Sequence, residues 1–179
     1  MFDFVGKFFK GRPGKKKKVA RKEIDIGNQK QSKSRSRGVS YDSELIQNLE
    51  KDHEMLVEIF GNIWGEGYEK SDFNAVSLHL SEFKALFQSH LLKENVKFYV
   101  YLEQSLRSDP HSLSVVKEFR KDMNAIANAV IGFCKKYDNP KYTEVNHVAF
   151  KEEYKEVGQA LVRRVQLEER DLYSLYELA

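Results

Sequence analysis

The chain has 179 residues, room for one domain with a substantial core but not comfortably for two. Hydrophobic residues make up 41%, so a folded part is expected, and only ten Gly and three Pro favour long helices over turn-rich β structure. The single cysteine, Cys134, excludes an internal disulfide and a cysteine zinc cluster and fits a reducing compartment.

The net charge of +3 hides an asymmetry: residues 1–40 carry 13 Lys and Arg against 3 Asp and Glu, a net +10, and the remainder carries −7. This pattern is a basic arm on an acidic domain. No apolar run approaches the ~20 residues needed to cross a bilayer. The stretch Met1 to Phe9 is broken by Asp3, Gly6 and Lys7 and does not read as a signal peptide. The expected location is cytoplasmic, with room for a peripheral position at the inner face of a membrane. In the arm, Phe2, Phe4, Phe8 and Phe9 precede the basic run Lys15, Lys16, Lys17, Lys18. Aromatics beside a basic cluster suit an anionic membrane surface or a protein partner. Phosphates of nucleic acid would attract the same lysines, but the phenylalanines favour the first two. A disordered, solubilising arm is the plainer account. Residues 27–40, GNQKQSKSRSRGVS, bury too little apolar area to offset chain entropy and read as a linker.

From about residue 41 to 179 the pattern changes to helical stripes. Ser40 or Asp42 can cap a first helix running to roughly residue 64, with Ile46, Leu49, Leu56 and Phe60 on one face. Ser71 or Asp72 opens a second, with Val76, Leu80, Phe83, Phe87, Phe98 and Tyr101. Ser108-Asp109-Pro110 opens a third, with Val116, Phe119, Met123, Ile126, Val130 and Phe133. Asp138-Asn139-Pro140 breaks the chain, and Thr143 with Glu144 is expected to start a fourth carrying Phe150, Tyr154, Val157, Leu161, Val165, Leu172 and Leu175. The fold class is all-α: four amphipathic helices with short connections pack as an antiparallel up-down-up-down bundle. No strand and no repeat is evident.

Ionisable residues interrupt these stripes. His53 lies in line with Leu49, Leu56 and Phe60; His90 and Glu94 continue Phe83 and Phe87 toward Phe98; Arg164 and Glu168 follow Leu161, with Glu169 on the flank. Buried polar groups are costly unless paired. Two accounts explain three helices turning such groups inward: a metal site in the bundle core, or a buried ion-pair network with Arg164 neutralising Glu94 and Glu168. A lone His in a stripe is most often a satisfied core residue, whereas His90-x-x-x-Glu94 puts two ligands on one face. His79, His111 and His147 read as exposed, and Cys134 as a buried structural thiol.

The residues around Asp52-His53, the segment Ser89-His90-Leu91-Leu92-Lys93-Glu94 and the ending Leu167-Glu168-Glu169-Arg170-Asp171-Leu172-Tyr173 resemble the hemerythrin-like (HHE) family over nearly all of the expected folded part. The resemblance implies a four-helix bundle holding two irons. Its ligands are a His on the first helix, His-x-x-x-Glu on the second, His-x-x-x-His on the third, and on the fourth a His followed four or five residues later by a carboxylate. By position, His53 matches the first-helix ligand, His90 and Glu94 the second-helix pair, and Glu168 or Glu169 the last carboxylate. The third-helix pair falls on Asn124 and Asn128 or on Met123 and Ala127, and Arg164 stands in place of the fourth-helix His. The missing ligands all belong to one iron. Arg does not ligate a cation, so its guanidinium would occupy the lost iron's place.

The expected function is therefore a hemerythrin-like metal-binding or sensing domain with a reduced, mononuclear site for iron or zinc. The resemblance implies iron-linked oxygen, nitric oxide or redox binding. The alternative is a metal-free regulatory interaction module in which the Arg164–carboxylate network replaces the metal centre. Catalysis is a third class: a single iron with open positions permits chemistry, but no residue assigns a reaction, and neither a phosphate-binding Gly loop nor a nucleophile–base motif is present. Oligomeric state is not legible.

Overall fold

The computed structural model describes residues 38–178. The aromatic and basic residues singled out in the arm, Phe2 to Lys18, lie outside the described residues.

Helix α1 (Leu45–Asn62) runs into a π-helical turn, Ile63–Tyr68. Helix α2 (Phe73–Lys93) continues through a second π-turn, Glu94–Phe98, into α3 (Tyr99–Ser105). Helix α4 (Pro110–Lys136), the short α5 (Pro140–Val145) and the long α6 (His147–Leu167) follow, and a third π-turn, Glu168–Leu172, leads into α7 (Tyr173–Leu178). Among the described residues the fold is all-helical, without strands.

Caps explain the starts. Asp72, not Ser71, caps α2 by accepting the Asn74 and Ala75 N–H groups; Ser71, with φ 55°, makes the left-handed step before it. Asp109 caps α4 in the same way, with Pro110 inside the first turn, where proline's missing N–H costs nothing. Neither Ser40 nor Asp42 is the cap residue of α1, which is Glu44. Asp42 still holds the entry, accepting the Glu44 N–H at 3.1 Å on its side chain and the Leu45 N–H at 3.2 Å on its carbonyl. The fourth long helix does not open at Thr143. Asn139 and Pro140 start α5, and Thr143 is buried within it, its hydroxyl donating to the Tyr137 and Asn139 carbonyls. Thr143 is therefore a clasp at the end of α4.

Helices α1, α2, α4 and α6 share a core of buried Leu56, Phe60, Leu80, Phe83, Phe87, Val130, Phe133, Phe150 and Tyr154. A second cluster, Leu45, Leu49, Phe98, Tyr99, Leu102, Val116, Leu172, Tyr173 and Tyr176, fills the other end. Between them lies a layer of His53, His90, Glu94, Arg164 and Glu168, all buried.

Two π-turns start at carboxylates of that layer: the Tyr99 N–H reaches back five residues to the Glu94 carbonyl, and the Tyr173 N–H to that of Glu168. Each wide turn adds one residue to the buried face. Phe98 with Tyr99, and Leu172 with Tyr173, therefore point inward together below the polar layer. The two segments are parallel in pattern: His90, Glu94, Phe98-Tyr99, Leu102 and Arg164, Glu168, Leu172-Tyr173, Tyr176.

Candidate metal centre

Each histidine is held on one side by a carboxylate and turned inward on the other. His53 Nδ1 lies 3.1 Å from Glu169 Oε1, and its Nε2 faces Glu168 Oε2 at 3.4 Å. His90 Nδ1 lies 3.4 Å from Asp52 Oδ2, and its Nε2 faces Glu94 Oε1 at 3.7 Å. The two imidazole rings are 4.8 Å apart. Asp52 is itself buried and accepts two bonds from Lys93 Nζ, at 3.0 and 2.8 Å. A carboxylate at the outer nitrogen fixes ring orientation and directs the other nitrogen at a cation.

Arg164 sits beside the inner carboxylates. Its Nη2 donates to Glu94 Oε2 at 2.7 Å and is in ion-pair contact with Glu168. Yet His53 Nε2, Glu94 Oε1, both Glu168 oxygens, Arg164 Nη1 and the Tyr173 hydroxyl are buried without a hydrogen-bond partner. The Glu168 contacts with His53 and Arg164 are close in distance but not aligned as hydrogen bonds.

The charges are coupled accordingly. Burial pushes His53 down, but Glu168 and Glu169 outweigh it and raise its pKa to about 9. Burial lowers His90 against the pull of Asp52, which favours the neutral ring that donates from Nδ1. Burial and then the neighbouring Glu168 hold Glu94 well above the carboxylate range, whereas Glu168 is lowered because Arg164 and His53 overcome its burial. With neutral histidines, Arg164 offsets only one of two inner carboxylates, so the layer lacks one positive charge. A proton or a cation supplies it.

The atoms that can hold a metal are those of His53, His90 and Glu168, which lie within 4.8 Å of one another. Two imidazoles and a carboxylate suit iron or zinc, and the unpartnered His53 Nε2 and Glu168 oxygens are where a cation would bind. The donor set fits one ion and not two. On α4, Met123 and Ala127 face the core, while Asn124 and Asn128 are exposed, so the third-helix positions bring no imidazole and no amide to the layer.

The sequence register of the last turn leaves Glu168 and Glu169 open; in the structure Glu168 points into the layer and Glu169 braces His53 from outside it. Asp52 and Lys93 escape the sequence reading, although Asp52 lies three residues after Leu49 and four before Leu56, on the same stripe as His53. His111 and His147 are exposed, as expected, but His79 is half-buried, with Nδ1 2.9 Å from Glu82.

A helical bundle that turns histidines and carboxylates inward has the arrangement from which bundle cores build metal sites. Residues 44–176 match the family model "Hemerythrin HHE cation binding domain". The chain belongs to that family. No curated protein and no solved structure matches it.

Proposed function

We propose that this domain binds one iron or zinc ion through His53, His90 and Glu168, and that Arg164 has replaced the second ion of its family. The carrying observation is that the three ligand atoms converge while carboxylates brace the outer nitrogens of both histidines. Glu94 stands beside the site as a further carboxylate, tethered to Arg164. Bound iron would supply an open coordination position for a small ligand such as oxygen or nitric oxide. An apolar cavity of about 30 Å³, lined by Phe60, Phe83, Phe87, Val162 and others, reaches His53 and His90. It has room for a molecule of about water size, enough for a small ligand such as a diatomic on the side of the two histidines.

The test is elemental analysis of protein expressed with iron and zinc supplied. The expected result is about one metal per chain, lost in His53→Ala and His90→Ala. Two irons per chain would overturn the ligand assignment. No metal under replete conditions would favour the second reading, a metal-free interaction module. Arg164 supports that reading specifically, because its guanidinium already neutralises one inner carboxylate.

The four long helices run up-down-up-down in this reading, and the domain begins near residue 41. The stacking of Tyr41 on Tyr176 supports that start, and the Val39 N–H donating to Gln104 places packing against the bundle two residues earlier. No helix among the described residues is long and apolar enough to cross a membrane. We assign the arm, residues 1–40, to docking on an anionic membrane surface or partner at the cytoplasmic face. Deleting it is expected to abolish binding to anionic vesicles, and unchanged binding would remove the membrane role.

A further inference from the structure

Asp52 and His53 are neighbours on α1 but turn to different partners. His53 faces Glu168 and Glu169, whereas Asp52 reaches across to α2 and brings Oδ2 to 3.4 Å from His90 Nδ1. The same carboxylate accepts from Lys93 Nζ at both oxygens, at 3.0 and 2.8 Å. His90 and Lys93 stand three residues apart on α2, a spacing that puts them on one face of the helix. One helix thus grips Asp52 at two points, and Lys93 makes the shorter contacts.

The lysine contacts decide where this carboxylate stays. The Asp52 side chain is 5% exposed, but that of Lys93 is 39% exposed, and Lys51, Glu54 and Met55 beside Asp52 on α1 are exposed, so solvent lies close. An ionised carboxylate without a counter-ion gains more from water than from one long contact to a neutral imidazole. Without Lys93, Asp52 turns outward and His90 Nδ1 loses its hydrogen-bond partner, leaving the ring free to rotate or to change tautomer.

We infer that Lys93 is a positioning residue for the metal centre: it anchors Asp52, and Asp52 holds His90 so that Nε2 is presented to the ion. The inference rests on the metal reading above. It makes a solvent-reachable lysine a determinant of affinity at a buried site, and it predicts a sign. By its field alone, removing a positive charge near a cation site favours the cation. Removing an anchor does the opposite, because ligands whose outer partners are lost bind metal about 10- to 100-fold more weakly.

The test measures zinc affinity of the full chain by competition with a chelating indicator. Lys93→Met is expected to weaken binding about tenfold, and Lys93→Arg, which can still donate to both Asp52 oxygens, to retain it. In an Asp52→Ala background Lys93→Met should add nothing, since the lysine acts through the carboxylate. Lys97→Met, which removes an exposed lysine paired with Asp42 on the same side of the chain, should leave affinity unchanged. The inference is overturned if Lys93→Met binds zinc as tightly as the wild type or more tightly, if its effect persists in full without Asp52, or if Lys97→Met weakens binding by as much. A wild-type chain that takes up no zinc would instead defeat the metal reading, and the inference is then decided on the metal-free protein. There, proton–nitrogen correlation spectra should show His90 in the Nδ1–H form in the wild type and as mixed tautomers in Lys93→Met; the same His90 signature in both chains overturns the anchor.

Discussion

Arg164 contacts two buried carboxylates at once. It is buried between Glu94 and Glu168, and removing one partner of a buried ion pair leaves charge without compensation. Arg164→Ala in metal-free protein is expected to cost about 3–5 kcal/mol in urea unfolding; a neutral result would mean that the carboxylates are already protonated or hydrated. His53 makes a second prediction. Its folded-state pKa of about 9 lies above the ordinary 6.5. A raised pKa contributes stability fully present below pH 6.5 and lost as pH rises through 9, up to about 3 kcal/mol. The urea midpoint of metal-free protein should therefore fall across that window, and His53→Gln should flatten the slope. A midpoint that rises instead would mean that His53 folds in its neutral form. The metal-loaded chain should lose this dependence, because the ion requires His53 deprotonated.

At the scale of the elements, the π-turns and the close approaches matter most. The extra residue at Glu94 and at Glu168 rotates the helical segment beyond it, so a stripe counted at 3.6 residues per turn drifts off its face there. The expected Tyr101 is only half-buried, while Tyr99 and Leu102 take the core. Gly67 packs against the start of α2: a Cβ there would lie 2.6 Å from Val76 Cγ2 and 2.9 Å from its backbone nitrogen. Gly67→Ala should therefore destabilise the fold by about 1–3 kcal/mol through overpacking. Gly132, exposed within α4, meets nothing within 4 Å, so Gly132→Ala should stabilise by about 0.5–1 kcal/mol through helix propensity. Paired thermal melts check both signs. If Gly67→Ala is harmless, the turn shifts away from α2 at little cost.

Across the whole molecule, a polar layer divides one core into two clusters that the helices span continuously. Both halves are expected to unfold together, and Cys134 reports on it. The thiol is buried in the larger cluster, and burial pushes its pKa up to about 12, so little thiolate exists near neutral pH. Its labelling by a disulfide reagent should follow global opening and should accelerate in Arg164→Ala, whose lesion lies in the other layer. Fast labelling of the native chain at a rate independent of that substitution would show local opening around the end of α4.

The sequence by itself determined the helical class, the amphipathic faces, the α4 cap, the α2 cap to within Ser71 or Asp72, and the inward placement of His53, His90, Glu94, Arg164 and Glu168. These arise from local periodicity and from the cost of burying charge. It did not determine which neighbour each charged group meets, because that depends on the rotation of one helix against another. Only the packed structure distinguished Glu168 from Glu169 and brought Asp52 on α1 against His90 and Lys93 on α2. The π-turns were equally out of reach, since a carboxylate in a helix carries no local sign that the next turn will widen around it.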